Sequence, residues 1–322
     1  MIPLRDTVAS RHYPIINNLL IAANVFFFMA QIAQGSHQES FVFTWGLVPA
    51  RYSDPGIGAY FTLKQQVLSL FTFMFLHGGF WHILGNMWFL YVFGDNVEDR
   101  MGHFRYLVFY FLCGWASGVT HLYFNWHSHL PTIGASGAIA GVMGAYFILH
   151  PRSRILTFIP LFIIPYFVEI PAFIFLGFWF VWQFLSAAGS QAQQSGIAWW
   201  AHVGGFVFGM ILCGFFRRAP ATEGGKGLPD YTLKTRTPRL QLIAPKGTHG
   251  GPDLYGTICV TRFEAKNGAR KLVNIPRGYQ KRLFTVIVPS GVREGSVLRL
   301  SGLGRKTPGH SPGDLFLKVQ IC

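Results

Sequence analysis

Residues 134–150 read Gly134-Ala135-Ser136-Gly137-Ala138-Ile139-Ala140-Gly141-Val142-Met143-Gly144-Ala145-Tyr146-Phe147-Ile148-Leu149-His150, an apolar, small-residue run with one serine at its start. Read as a helix it rises about 25 Å, less than the roughly 30 Å hydrocarbon core of a bilayer. Its far end is anchored at His150-Pro151-Arg152, so Ser136 is expected below the outer surface. A second stretch, Ala201-His202-Val203-Gly204-Gly205, sets a histidine in another apolar segment. An ionisable residue at membrane depth is a functional hypothesis by default.

Working outward, the chain is 51% hydrophobic, 16% aromatic and only 12% charged, which excludes an ordinary soluble composition. Six apolar segments predict transmembrane helices near 15–33, 79–96, 104–124, 134–150, 170–188 and 198–216. Residues 66–76 read as an interfacial lead-in to the second. The first run lacks a small-residue cleavage pattern and is expected to be a span rather than a signal peptide. Arg5, Arg11, Arg100, Arg105, Arg152, Arg154, Arg217 and Arg218 fall on the side of the termini, against Arg51 and Lys64 opposite. The positive-inside rule then puts both termini in the cytoplasm, most simply of a bacterial inner membrane. The loop Gly35–Lys64, with Trp45, Tyr52, Tyr60 and Phe61, reads equally as a segment lying in the outer interface or as a plain aromatic belt.

Charge divides the chain near Phe216. Residues 217–322 supply +13 of the net +14. The Gly, Pro, Thr and Lys composition of 218–252 predicts a flexible linker. Beyond it, Ile258/Val260, Leu272–Ile275, Phe284/Val286/Val288, Val297–Leu300 and Leu315/Leu317/Val319/Ile321 alternate or cluster as short strands between turn residues. The expected organisation is an all-α, six-helix membrane domain over 1–217, the linker, and a small cytoplasmic all-β domain, sandwich-like, over 253–322. Cys113 and Cys213 read as small hydrophobes, and Cys259 and Cys322 as isolated thiols, so neither a disulfide nor a structural metal is expected.

Ser136 at a helix start has free backbone N–H groups and the positive dipole end beside it, which favours an oxyanion. Ser136, Ala140 and Gly144 form a small-residue face, as do His202, Gly205 and Gly209 on the last span. Two such faces allow backbones close enough for a Ser–His hydrogen bond. Small-residue packing with a satisfied serine accounts for the first face equally well. The chain entering Ser136 carries His127, His129 and Pro131, and irregular backbone at this depth implies a water-filled cavity beside the serine. His82 and Asn86, at i and i+4 in His77-Gly78-Gly79-Phe80-Trp81-His82-Ile83-Leu84-Gly85-Asn86, share a helix face and can both donate hydrogen bonds. Metal binding is the competing reading of His77, His82, His121, His127 and His129, but no His-Glu-x-x-His and no acidic ligand spacing accompanies them. Val97-Glu98-Asp99-Arg100-Met101-Gly102 reads as a loop salt bridge and cap, and Glu169 as a cap of the fifth span.

Together these motifs make residues 14–216 resemble a rhomboid intramembrane serine protease. The resemblance implies Ser136 as nucleophile, His202 as general base of a dyad without an acidic third member, and His82, Asn86 and the Ser136 N–H as the oxyanion hole. Gly134 would border that hole and bind substrate, and His77 would line the cavity. The activity implied is cleavage of transmembrane segments near the outer face, with no cofactor; the alternative is a catalytically inactive membrane-protein chaperone or scaffold of the same fold. Where some rhomboids place a tyrosine beneath the histidine, this chain has Ala140, and its first outer loop lacks an adjacent Trp-Arg pair. Residues 255–321, with Val288-Pro289-Ser290-Gly291, Leu298-Arg299-Leu300-Ser301-Gly302-Leu303-Gly304 and Gly313-Asp314-Leu315, resemble the C-terminal peptide-binding β-domain of DnaJ-type co-chaperones, without a J-domain His-Pro-Asp or zinc insert. That implies an extended peptide or chaperone client as partner; a passive module held against anionic lipid by its charge is the other reading. No nucleic-acid motif accompanies the charge, and no nucleic acid is expected.

Overall fold

Apolar runs bounded by Pro, Gly and charge fold as helices wherever they are long enough to satisfy their own backbone in hydrocarbon. In a computed structural model, which describes residues 1–8, 10–161, 164–189, 198–218, 240–243, 245–247, 251–277, 280–305 and 312–322, the long helices are α1 (Ile15–Ile32), α6 (Phe80–Met101), α7 (His103–Phe124), α8 (Ser136–Leu149), α9 (Ala172–Gly189) and α10 (Trp199–Arg218). Shorter helices between α1 and α6 are α2 (Gln38–Trp45), α3 (Ala50–Ser53), α4 (Pro55–Gly58) and α5 (Leu63–Thr72). Among the described residues α1, α7, α9 and α10 are long and apolar enough to cross a membrane; Leu63–Phe75 with α6, bent by 77°, makes a fifth candidate. At 14 residues α8 is too short to count by length, although it occupies the place read as the fourth span.

Every residue of α8 from Gly137 to Tyr146 is buried, as a helix apolar all round must be. Glycines make that burial possible. A Cβ on Gly205 would lie 2.0 Å from the carbonyl oxygen of Gly137, one on Gly209 2.1 Å from that of Gly141, and one on Gly144 2.2 Å from that of Phe206. The backbones of α8 and α10 are therefore in direct contact. On the other side Gly137 and Gly141 admit Ser117 and Cys113 of α7. Tyr106, Phe109 and Tyr110 of α7 and Leu90 and Phe93 of α6 fill the remaining core.

The all-α expectation for this unit is corrected. Strands β1 (Ile2–Asp6), β2 (Arg154–Leu161) and β3 (Ile164–Pro171) form an antiparallel sheet in the order β1-β2-β3. Glu169, read as a cap of α9, pairs with Leu156 in that sheet, while the first two amides of α9, Ala172 and Phe173, donate to the carbonyls of Ser153 (2.8 Å) and Pro151 (3.2 Å). The Glu98 segment is likewise not a loop but the last turn of α6. Glu98 is 1% exposed and accepts the backbone N–H groups of Ile16 (2.9 Å) and Asn17 (2.8 Å), so it caps α1, which has no side-chain cap of its own. The loop after α1 turns through α2–α4 and bonds to the segment before Ser136, with Leu47 and Thr132 exchanging backbone hydrogen bonds of 3.0 and 2.8 Å. Buried Arg51 fixes this loop, donating to the carbonyls of Phe43 (2.5 Å) and Thr44 (3.1 Å) with its guanidinium 3.6 Å from the Phe61 ring centre.

The chain divides into two units, Met1–Leu228 and Pro229–Cys322. Of the segment read as a linker, residues 219–239, 244 and 248–250 lie outside the described residues; part of the rest forms strands β4 (Leu240–Leu242) and β5 (Lys246–Gly247). The second unit continues through β6 (Leu254–Val260), α11 (Arg262–Asn267), β7 (Ala269–Arg277), β8 (Gln280–Val288), β9 (Val297–Leu300) and β10 (Leu315–Ile321). Two sheets result, β5-β6-β10-β9 and β4-β7-β8, around a core of Ile258, Val260, Val273, Val286, Val288, Leu317 and Val319. Thr261 and Glu264 make a capping box for α11, and Glu264 also pairs with buried Lys271. The expectation of free thiols in this domain is overturned: Cys259 and Cys322 are disulfide-bonded. The pairing arises because β6 and β10 are parallel neighbours, which brings together cysteines 63 residues apart.

Candidate active site

The first turn of α8 and the second turn of α10 meet across the glycine contact. There His202 Nε2 lies 2.7 Å from Ser136 Oγ, both side chains being partly exposed. The small-residue faces thus bring the serine and the histidine together at hydrogen-bonding distance. Gly134 bends the chain into the helix with φ +126°, a conformation that favours glycine, and donates its N–H to the carbonyl of Phe73 (2.9 Å).

Gly134 also leaves room for the donors opposite. A Cβ there would sit 2.9 Å from His82 Nε2 and 3.5 Å from Asn86 Nδ2. His82 Nδ1 accepts the backbone N–H of Gly78 (3.1 Å), so the ring proton is on Nε2 and faces the Gly134 turn. Asn86 is buried, and its Nδ2 has no hydrogen-bond partner among the described residues. Two side-chain donors and the N-terminus of α8 therefore converge on the space beside Ser136, an arrangement suited to negative charge on oxygen.

His77 is 0% exposed; among the described residues neither ring nitrogen has a hydrogen-bond partner, and its ring centre is 5.3 Å from that of His82. Gln31 of α1 holds its backbone, donating to the His77 carbonyl (2.7 Å) and accepting its N–H (3.0 Å). A cavity of about 650 Å³ is lined by His77, Gln31, Phe43, Pro131 and Ile133, among others. Neither Ser136 nor His202 lines it, so this cavity is not the one expected beside the serine. His127 and His129 are exposed, whereas His121, not singled out as catalytic, is buried and bonded to Thr132 Oγ1 at 2.7 Å.

Comparison with known proteins finds a family for each of the two units. Residues 64–219 match the rhomboid domain and residues 255–322 the DnaJ C-terminal domain. The chain carries a rhomboid domain followed by a DnaJ C-terminal domain. It is similar to the mitochondrial rhomboid protein 1 of Saccharomyces cerevisiae, 28% identical over 158 residues covering 47% of this chain and 42% of the yeast protein. Similarity to a DnaJ-like protein of Synechocystis is 29% over 152 residues, 44% of this chain and 43% of that one. RHOMBOID-like protein 1 of Arabidopsis thaliana is 35% identical over 82 residues, 26% of this chain and 21% of the plant protein. The chain thus spans less than half the length of these relatives.

Within the rhomboid domain, buried Ala140 offers no ring to His202. Support comes instead from α9 and α10: Gln183 Oε1 lies 2.7 Å from His202 Nδ1, and the Trp179 and Trp199 rings stand 6.0 and 6.2 Å from the imidazole. Sequence reading missed Gln183. The available signal was a long amide on the inward stripe of an apolar helix, in phase with Phe175, Leu176 and Ala187.

Proposed function

We propose that this protein is an intramembrane serine endopeptidase that hydrolyses peptide bonds of transmembrane segments near their outer face. The observation that carries the reading is the 2.7 Å approach of His202 Nε2 to Ser136 Oγ. Ser136 gives its hydroxyl proton to His202 Nε2 while Oγ attacks the scissile carbonyl carbon. The resulting oxyanion takes hydrogen bonds from His82 Nε2, Asn86 Nδ2 and the Ser136 N–H. His202 returns the proton to the leaving amine; water then attacks the acyl-enzyme, His202 takes the proton of that water, and Ser136 is regenerated. Residues Gly134 and His77 bound the substrate path, and no cofactor takes part.

Suitable substrates are helices with small or helix-breaking residues at the cut, since a helical peptide bond is shielded from attack. The six long helices are taken as six crossings with both termini cytoplasmic, as the arginine distribution supports. A bacterial inner membrane is the proposed location. The DnaJ C-terminal domain, in residues 253–322 beyond the 218–252 connection, binds an extended peptide or chaperone client on the cytoplasmic side, with its basic surface toward anionic lipid. The rival from another class is an inactive rhomboid-like chaperone, and the paired Ser136 and His202 weigh against it. A fluorophosphonate probe on purified protein tests the reading: wild type is labelled, and Ser136→Ala and His202→Ala are not. Equal labelling of all three ends it.

A further inference from the structure

We propose that Gln183 is a positioning residue that fixes the tautomer and tilt of His202, making a neutral chain Ser136–His202–Gln183; this rests on the peptidase reading above. His202 has one partner at each ring nitrogen, Ser136 Oγ at Nε2 and Gln183 Oε1 at Nδ1, both 2.7 Å away. An amide oxygen only accepts, so the ring proton belongs on Nδ1 and the lone pair on Nε2. That is the one neutral form in which His202 can take the proton of Ser136. In the other tautomer an N–H would face the hydroxyl, and the base would be blocked.

The position of Gln183 in the fold supports this role. It is 6% exposed and lies one turn beyond Trp179 on the same face of α9, and Trp179 packs against the same imidazole. The other titratable groups acting on His202 are His82 of α6 and His121 of α7, and no acidic side chain among the described residues bonds to it. When His202 holds the transferred proton, the Nδ1–H bond to the amide oxygen becomes charge-assisted and strengthens during the reaction. A carboxylate would do the same at the cost of a resident charge at membrane depth, which is expensive there.

The test uses full-length protein in proteoliposomes with a fluorogenic transmembrane substrate. Gln183→Met keeps length and bulk but accepts no such bond; its kcat is expected to fall about tenfold to a hundredfold with KM within about twofold. Gln183→Glu keeps the acceptor: it is expected to retain more activity than Gln183→Met at alkaline pH, with the acid limb of kcat/KM moved upward by about one unit or more. Wild-type kcat in Gln183→Met overturns the proposal. Equal losses in both variants with an unmoved acid limb do so as well, because a packing role alone gives that pattern. If Gln183→Met fails to fold, the profile of Gln183→Glu decides. Activity in Ser136→Ala or His202→Ala would instead overturn the peptidase reading itself, so the two failures are distinguishable.

Discussion

Gly205→Ala turns the α8–α10 contact into a quantitative test. The added Cβ would stand 2.0 Å from the carbonyl oxygen of Gly137, and side-chain carbons do not approach backbone closer than 3.0 Å, so the helices must part by about 1 Å. Ser136 is the residue before Gly137, and His202 lies one turn before Gly205. A separation of about 1 Å therefore takes the 2.7 Å Oγ–Nε2 contact beyond hydrogen-bonding reach. Displacement on that scale costs about a hundredfold in rate, and overpacking costs about 1–3 kcal/mol of stability. Turnover of a transmembrane peptide in proteoliposomes, with unfolding followed in parallel, measures both. Gly214→Ala is the control, because that position on the same helix has nothing within 4 Å. If Gly205→Ala keeps a rate within about twofold of the control, the close crossing is not what aligns the pair.

Three further outcomes follow from groups away from the serine. Asp6 of β1 is raised from 3.8 to about 7, chiefly by burial and further by Asp95, against hydrogen bonds from Tyr146 and Asn96. Folded protein then holds this proton more tightly than unfolded chain and loses stability from about pH 4 to about pH 7, so Asp6→Asn equals wild type near pH 4 and exceeds it above pH 7; a pH-independent difference in unfolding midpoint contradicts this. Glu98→Ala removes the acceptor of two amides at the start of α1, those of buried Asn17 and half-buried Ile16, and should cost about 2–4 kcal/mol in denaturant unfolding, and a change near zero would mean that water replaces the carboxylate. The Cys259–Cys322 bond tests the proposed orientation, because cellular reductants open such a bond on the cytoplasmic side: alkylation of acid-quenched cells should then modify both cysteines, and protection of both would put the tail in an oxidising compartment and reverse the orientation.

The long helices were legible because hydrocarbon leaves few options: residues 104–124 and 198–216, picked by apolar length alone, fall on α7 and α10 within a few positions. The Ser136 and His202 pairing was legible for a related reason, since glycines at matching spacing on two spans have little use except close approach. What failed was non-local. Residues 154–171 carry apolar side chains in nearly every place with Pro160 and Pro165 among them, so the alternation that betrays a half-buried strand is missing from β2 and β3. Glu98 acts on an amide 82 positions away, and no local pattern marks a cap supplied by another helix. The Cys259–Cys322 bridge depends on β6 and β10 being parallel neighbours, which strand signals do not specify. Gln183 was hidden by its surroundings: in α9 periodicity marks it as core, and only the ring of His202 gives it a chemical meaning.

The most direct measurement is mass spectrometry of the products formed when purified protein, reconstituted in liposomes, is given a substrate with one transmembrane helix carrying a Gly/Ala-rich stretch near its outer end. Cleavage at a defined bond within that stretch by wild type, with intact substrate after Ser136→Ala, is the outcome the Ser136–His202 account predicts. Intact substrate with wild type, or the same products from Ser136→Ala, would contradict it.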